Sequence, residues 1–120
     1  MGTDRDRGIE KHLPLRRVEF HILLSLASGE RHGYGIIRDI EARGDSSPPD
    51  LGTMYRALAR MAEAGLIEAA DRRAEDGGNE RRNYYRITNT GMRVARAEAR
   101  RLETMMQAAR AGGLLSKDAK

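Results

Sequence analysis

The sequence predicts a mainly α domain of the α+β class, in which three helices lead into two short strands and a longer last helix. Three observations predict it. Apolar residues recur at helical spacing in three segments between positions 15 and 64. Two short β-compatible runs, Leu66–Asp71 and Asn83–Thr88, flank a polar stretch containing Gly77-Gly78. From Met92 to Ala109 the apolar positions fall at spacings of 3, 4, 3, 4 and 3, the rhythm of a helix lying along another surface.

Composition narrows the function classes. The chain has 120 residues, 39% of them hydrophobic, with sixteen Ala, one Phe, four Tyr and no Trp. That set builds one compact core but not two. No apolar run approaches the roughly 18 residues that a membrane span requires. The charged start, MGTDRDRGIEKH, lacks the apolar stretch of a secretory signal, so a cytoplasmic protein is expected. The absence of cysteine excludes disulfides, thiolate metal sites and a cysteine nucleophile. His12, His21 and His32 lack the i,i+4 spacing of a helical zinc pair. There is no Gly-x-Ser-x-Gly and no phosphate-binding glycine loop, so neither an enzyme nor a cofactor is predicted. Met92, Met105 and Met106 read as gap-filling residues rather than a cofactor box.

Residues 1–12 read as a polar lead-in. The first helix is expected from Leu15 to Leu26 and ends near Ser28-Gly29. It carries two apolar stripes. Phe20, Leu23, Leu24 and Ala27 form one, and Val18, Ile22 and Leu26 form the other. A helix apolar on two sides needs cover on two sides, which points to a second subunit over Val18, Ile22 and Leu26. The second helix opens at His32-Gly33-Tyr34-Gly35 and ends near Arg43-Gly44. Asp45-Ser46-Ser47-Pro48-Pro49 follows as a loop.

Asp50 is a good N-cap for a third helix over Leu51–Ala64, with Gly65 past its end. Met54, Leu58 and Met61 share one face of that helix. Gly52, Arg56, Ala59, Arg60 and Glu63 fall opposite, with Thr53 and Tyr55 at the flanks. The two strands make a hairpin whose polar tip spans Arg72–Arg82, longer than a tight turn. Thr88 or Thr90 caps the last helix, over 90–111, and Gly112-Gly113 closes it. Its stripe of Met92, Ala95, Ala99, Leu102, Met106 and Ala109 is the expected dimer face.

This order of elements is the layout of a winged helix-turn-helix domain with a C-terminal dimerisation helix. The charges agree with a nucleic-acid partner. Residues 1–80 hold twelve basic against fifteen acidic side chains, whereas residues 81–110 hold eight Arg against two Glu. Nineteen of the 22 basic residues are Arg, whose planar fork suits phosphates and base edges. The candidate DNA-binding residues are Gly52, Thr53, Tyr55, Arg56 and Arg60 on the third helix. Arg72, Arg73, Arg81 and Arg82 join them around the hairpin tip. Gly52 leaves the free N–H groups of the helix start open to a phosphate. Arg56 and Arg60 lie one turn apart, and Arg60 is also placed to pair with Glu63.

Several blocks of the chain resemble the PadR-like transcriptional regulators. They are His32-Gly33-Tyr34, Gly52-Thr53-Met54-Tyr55 with Leu58, Gly65-Leu66-Ile67, and Tyr84-Tyr85-Arg86-Ile87-Thr88 followed by Gly91. The resemblance covers residues 13–111. It implies a homodimeric repressor that binds double-stranded DNA, in some members released by a small-molecule effector. It also implies a dimer built from the C-terminal helix with help from the first. The loop that starts the third helix commonly carries Ser-Pro before Gly-Thr in the family, where this chain has Asp50-Leu51.

The resulting division is a lead-in over 1–12, a DNA-binding domain over 13–88, a dimerisation helix over 89–111 and a tail over 112–120. A dimer with two-fold symmetry requires an inverted-repeat operator, and such a protein would be associated with the nucleoid. The alternative reading is a winged-helix dimer that serves as a protein-interaction or effector-binding module without specific DNA affinity.

Overall fold

The computed structural model describes residues 8–45, 47–70 and 83–115. In chain order the elements are α1 (Arg17–Ala27), β1 (Arg31–His32), α2 (Gly33–Ala42), α3 (Leu51–Glu63), β2 (Ile67–Ala70), β3 (Tyr84–Ile87) and α4 (Asn89–Ala111). The three strands form one antiparallel sheet in the order β1-β3-β2. Ile67 faces Ile87 and Ala70 faces Tyr84, while Arg31 and His32 pair with Tyr85 and Tyr84. The expected winged helix-turn-helix layout is present, with one strand more than the sequence reading supplied.

Local chemistry sets the helix limits. Glu19 accepts a hydrogen bond from the Arg16 backbone N–H at the start of α1 (3.0 Å). His32, expected to open a helix, is instead the last residue of β1 and the N-cap of α2, where its Nδ1 accepts from Gly35 N–H (3.0 Å). Asp50 caps α3 and Thr88 caps α4. α3 ends at Gly65, whose φ of 81° suits a residue without Cβ.

The core lies where α1, α2 and α3 meet one face of the sheet. It contains Ile22, Leu23 and Leu26 of α1, Ile36, Ile37 and Ile40 of α2, and Met54, Ala57, Leu58 and Met61 of α3. Leu66 in the turn before β2, Ile67 of β2 and Val94 of α4 complete it. Ile9 also belongs to it, so the lead-in expected over 1–12 contributes a core side chain. Among the described residues no helix is long and apolar enough to cross a membrane.

The structure does not leave the stripe of Val18, Ile22 and Leu26 to a partner. Ile22 and Leu26, assigned from sequence to a partner, are buried within the protomer, and Val18 packs partly buried beside them. The other stripe divides. Leu23 enters the core, Phe20 is half-buried, and Leu24 and Ala27 face outward. The domain's own α2, α3, β3 and α4 pack against α1 and supply the cover expected from a second subunit.

α4 is rotated in a similar way. Its inner face carries Gly91, Val94 and Glu98, with Arg101 half-buried one turn further on. The expected apolar stripe lies one residue ahead of these positions, hence about 100° around the helix. Met92, Ala95, Leu102 and Ala109 are consequently half-buried at the edge of the contact, and Ala99 and Met106 are exposed. Met105, outside the stripe, is 55% exposed.

Polar groups orient these helices. Ser25 is fully buried and donates to Asp39 Oδ2 (2.8 Å), which also accepts from Arg43 (2.7 Å). Arg31 donates to the Ser25 carbonyl (3.1 Å) and thereby ties β1 to α1. His21 contacts Arg43 through Nδ1 and Asp45 through Nε2, and Arg17 reaches the same Asp45. Hydrogen bonds from Ser25, aided by Arg31 and Arg43, hold the Asp39 carboxyl below the usual range. Burial, followed by Arg43 and Arg17, lowers the His21 imidazole.

Among the described residues Glu98 is the other buried polar side chain besides Ser25, at 2% exposure. Arg101 donates to both of its oxygens (2.9 and 2.8 Å), and the Leu15 backbone hydrogen-bonds it as well. These partners hold its carboxyl below the usual value. A carboxyl with a depressed folded pKa stabilises fully above its unfolded pKa, and the contribution drains as pH falls through the folded one. Glu98→Gln should therefore lower stability at neutral pH by about 1–3 kcal/mol. It should also remove part of the loss seen on acidification below the carboxylate range. Urea melts of both proteins across an acid pH series measure this, and parallel acid profiles would refute the assignment.

Candidate nucleic-acid interface

α3 is amphipathic because Met54, Ala57, Leu58 and Met61 recur at spacings of three, one and three and all turn inward. Its opposite face must then meet solvent. Gly52, Tyr55 and Arg56 are exposed there, with Thr53 half-buried between them. Asp50 Oδ1 accepts the Thr53 backbone N–H (2.7 Å) and takes up one of the unpaired donors of the helix start. That bond is the main reason the Asp50 carboxyl sits below its usual range.

Arg56 lies back over the first turn. Its Nη2 donates to Thr53 Oγ1 (3.3 Å), and a Cβ on Gly52 would come 3.3 Å from its Nη1. The space that Gly52 leaves is thus occupied by a guanidinium. The positive end of the helix dipole and the Arg56 charge converge at one exposed point, where the Asp50 carboxylate already takes one of the N–H groups and an anionic oxygen would meet the rest beside it.

Tyr55 marks the crossing of α2 and α3. A Cβ on Gly33 would stand 3.0 Å from Tyr55 Cε1 and 3.2 Å from Cζ, so the ring lies on the glycine. The ring is nonetheless 46% exposed. Beside it in sequence from Gly33 is Tyr34, 49% exposed, with the Arg38 guanidinium 5.7 Å from its ring centre. The sequence reading missed Tyr34 and Arg38. Their i,i+4 spacing on one helix face was the available signal.

Arg60 leaves this group. Its Nε is 3.6 Å from Glu19 Oε2 of α1, neither pointing to the Arg56 site nor paired with Glu63. Glu19 already accepts the Arg16 N–H at the start of α1, so the pair joins α3 to that end of the first helix. Sequence periodicity placed Arg60 on the outer face but did not reveal the acid on a different helix.

At the wing base, Arg86 of β3 donates to Glu68 of β2 (2.8 Å) and approaches Glu30 (3.6 Å). Tyr84 meets His32 edge to face at 5.0 Å. Burial, and then the neighbouring Tyr55 hydroxyl, raise the Tyr85 hydroxyl above its usual range. Arg72, Arg73, Arg81 and Arg82 lie outside the described residues. The structure therefore brings together Gly52, Thr53, Tyr55 and Arg56 and sets Arg60 apart.

A separate pocket of about 250 Å³ opens between α1 and α4. Leu15, Phe20 and Leu102 give it an apolar wall, and Arg17, His21, Glu98 and Arg101 give it charged groups.

The model of the transcriptional regulator PadR-like family matches residues 22–97. A solved transcriptional regulator from Clostridium thermocellum shares 26% identity and superposes with a TM-score of 0.65, covering 92% of this chain and 96% of its own. A PadR family transcription regulator from Clostridium difficile also shares 26% identity, with a TM-score of 0.68 over 80% of this chain and 97% of its own. RosR from H. salinarum, at 22% identity and a TM-score of 0.57, covers 84% of this chain and 98% of its own, a likeness of fold. No curated protein matches the chain.

The cap of α3 is open to a direct check. Asp50→Ala removes the acceptor for Thr53 N–H and should cost about 1 kcal/mol in a urea melt, whereas Asp50→Asn keeps an acceptor and should stay within a few tenths. Equal losses in the two variants would show that charge, and not capping, is what Asp50 supplies.

Proposed function

The chain belongs to the transcriptional regulator PadR-like family, and on that premise we propose that it is a homodimeric repressor that grips an inverted-repeat operator in duplex DNA through α3. The observation that carries this reading is the exposed first half of α3. There Gly52, Thr53, Tyr55 and Arg56 surround the helix start while the opposite face is wholly buried. Arg56 is assigned to a base edge or an adjacent phosphate. Arg72, Arg73, Arg81 and Arg82 are assigned to the flanking backbone on the strength of their charge and place in the sequence. Arg60 is assigned a positioning role through Glu19. The protein would act in the cytoplasm, on the nucleoid.

The dimer is proposed to form over the side chains that the protomer leaves uncovered. Leu24 is 40% exposed and Met106 is 43% exposed, and Phe20 and Leu102 line the pocket between α1 and α4. This interface keeps the stripe of α4 expected from sequence, Met92, Ala95, Ala99, Leu102, Met106 and Ala109. It replaces Ile22 and Leu26 of α1 with Phe20 and Leu24.

The pocket between α1 and α4 favours a second reading, in which the dimer binds a small-molecule effector or a protein and has no specific DNA affinity. Apolar walls with a few charged groups are the ordinary make-up of a ligand site. Salt dependence separates the two readings, because phosphate neutralisation releases counterions and leaves a steep log–log slope.

Arg56→Ala should weaken binding to the preferred operator by about 1–3 kcal/mol and relax specificity if the side chain reads a base. Arg81→Ala or Arg82→Ala should weaken binding to all sequences alike and flatten the salt slope. Fluorescence anisotropy with operator and scrambled duplexes at several salt concentrations reads both effects, and unchanged binding by all three variants would remove the assignment.

Replacing Leu102 with Asp should place an unpaired charge in the dimer face, at a cost on the order of several kcal/mol. Light scattering should then report a folded monomer where the wild type is a dimer. A wild type that remains monomeric at micromolar concentration contradicts the proposed assembly.

A further inference from the structure

The end of the recognition helix and the start of α4 meet at one side chain. Thr88 Oγ1 donates to the Gly65 carbonyl (2.7 Å), at the turn that terminates α3, and accepts the Gly91 N–H (3.0 Å) as the N-cap of α4. Its backbone N–H donates to the Leu66 carbonyl (3.1 Å). A single hydroxyl thus spends its donor on one helix and its acceptor on the other.

The contact beneath Thr88 allows little adjustment. A Cβ on Gly91 would fall 2.0 Å from the Leu66 carbonyl oxygen and 2.9 Å from the Ile87 side chain. The first of these is backbone and cannot swing aside as a flexible side chain could. α4 therefore starts directly on the turn that ends α3, and Thr88 fixes the angle at which it leaves.

We propose that Thr88 is the positioning residue that sets the distance between the two recognition helices of the dimer, and with it the half-site spacing that the protein accepts. The inference rests on the proposed function in its use of α4 as the dimer helix. Each α3 is tied to its own α4 at the Thr88 joint, and the paired α4 helices define the two-fold axis. A small change of angle at the joint is carried outward along α3, so the joint governs the register between half-sites and leaves the surface that touches each half-site unchanged.

Two substitutions that are isosteric with each other separate the clamp from the cap. Thr88→Asp keeps an acceptor for Gly91 N–H but, as a carboxylate, has no hydrogen to give Gly65. Thr88→Asn keeps both an acceptor and a donor. Either residue is a good N-cap, so α4 is retained in both variants. The chain has no cysteine, so Ala62→Cys, at an exposed position of α3, carries a single spin label per protomer. Pulsed electron resonance then reads the distance between the recognition helices of the dimer without DNA, while light scattering reports the assembly.

The wild type and Thr88→Asn should give one narrow distance distribution, and Thr88→Asp a broadened or shifted one. Unlabelled proteins are also titrated with a single half-site and with operators whose central spacer is lengthened or shortened by a base pair or two. Thr88→Asp should hold the single half-site as the wild type does. It should lose about two- to tenfold of its preference for the best spacing, the factor that one net hydrogen bond represents. An unchanged distance distribution overturns the proposal, and so does an equal loss on single and double sites. A monomeric wild type defeats both this proposal and the assembly beneath it. A dimer that binds no DNA defeats the proposed function and, with it, the claim about half-site spacing, while the distance measurement still decides whether Thr88 sets the separation of the two α3 helices.

Discussion

Met54, Ala57, Leu58 and Met61 are at most 1% exposed, and the outward face of α3 depends on that burial. Each large side chain in such a stripe contributes about 1.5–3 kcal/mol by leaving water. Turning α3 by one residue would bring several of them to the surface at once. The helix is therefore held in one rotation, which places Gly52 and Arg56 outside and puts the Tyr55 ring on Gly33. The exposed chemistry follows from the buried pattern.

The polar contacts between α1 and α2 supply direction where the apolar ones supply mostly cohesion. Ser25 has a hydroxyl with no access to water, so its bond to Asp39 is obligatory. Arg43 reaches Asp39, Ser25 and the His21 carbonyl, three acceptors on two helices. Arg31 reaches the Ser25 carbonyl from the edge strand. Leucines could slide past one another by a fraction of a turn with small loss. This set of forked hydrogen bonds could not, and it ties the edge of the sheet to the same frame.

The helices and their ends were legible because their signals are local. Asp50 and Thr88 announce caps, Gly65 a left-handed terminus, and Pro48-Pro49 a break. β1 was not legible, since two residues become a strand only by pairing with Tyr84 and Tyr85, some fifty positions later. For α1, periodicity revealed two apolar stripes but contained nothing to say which one the domain would keep. For α4 the difficulty was chemical. Its inner face includes Glu98 and Arg101, a charged pair satisfied by its own geometry, so the more apolar neighbouring stripe looked like the contact face. Arg60 shows the same limit at the site. Glu63 was visible one turn away in sequence, while Glu19 becomes its neighbour only after folding.

The resting place of Arg56 has a kinetic consequence. In the free protein its guanidinium lies over the first turn of α3, held to Thr53 by one long bond of 3.3 Å. Under the proposed function, that posture already suits a phosphate, which every stretch of duplex presents. Reaching a base requires the side chain to release Thr53 and extend. Rotamer changes of an exposed side chain take picoseconds to nanoseconds. The protein would thus travel along DNA with Arg56 folded, sample the extended posture at every step, and remain only where a base edge holds the arginine open.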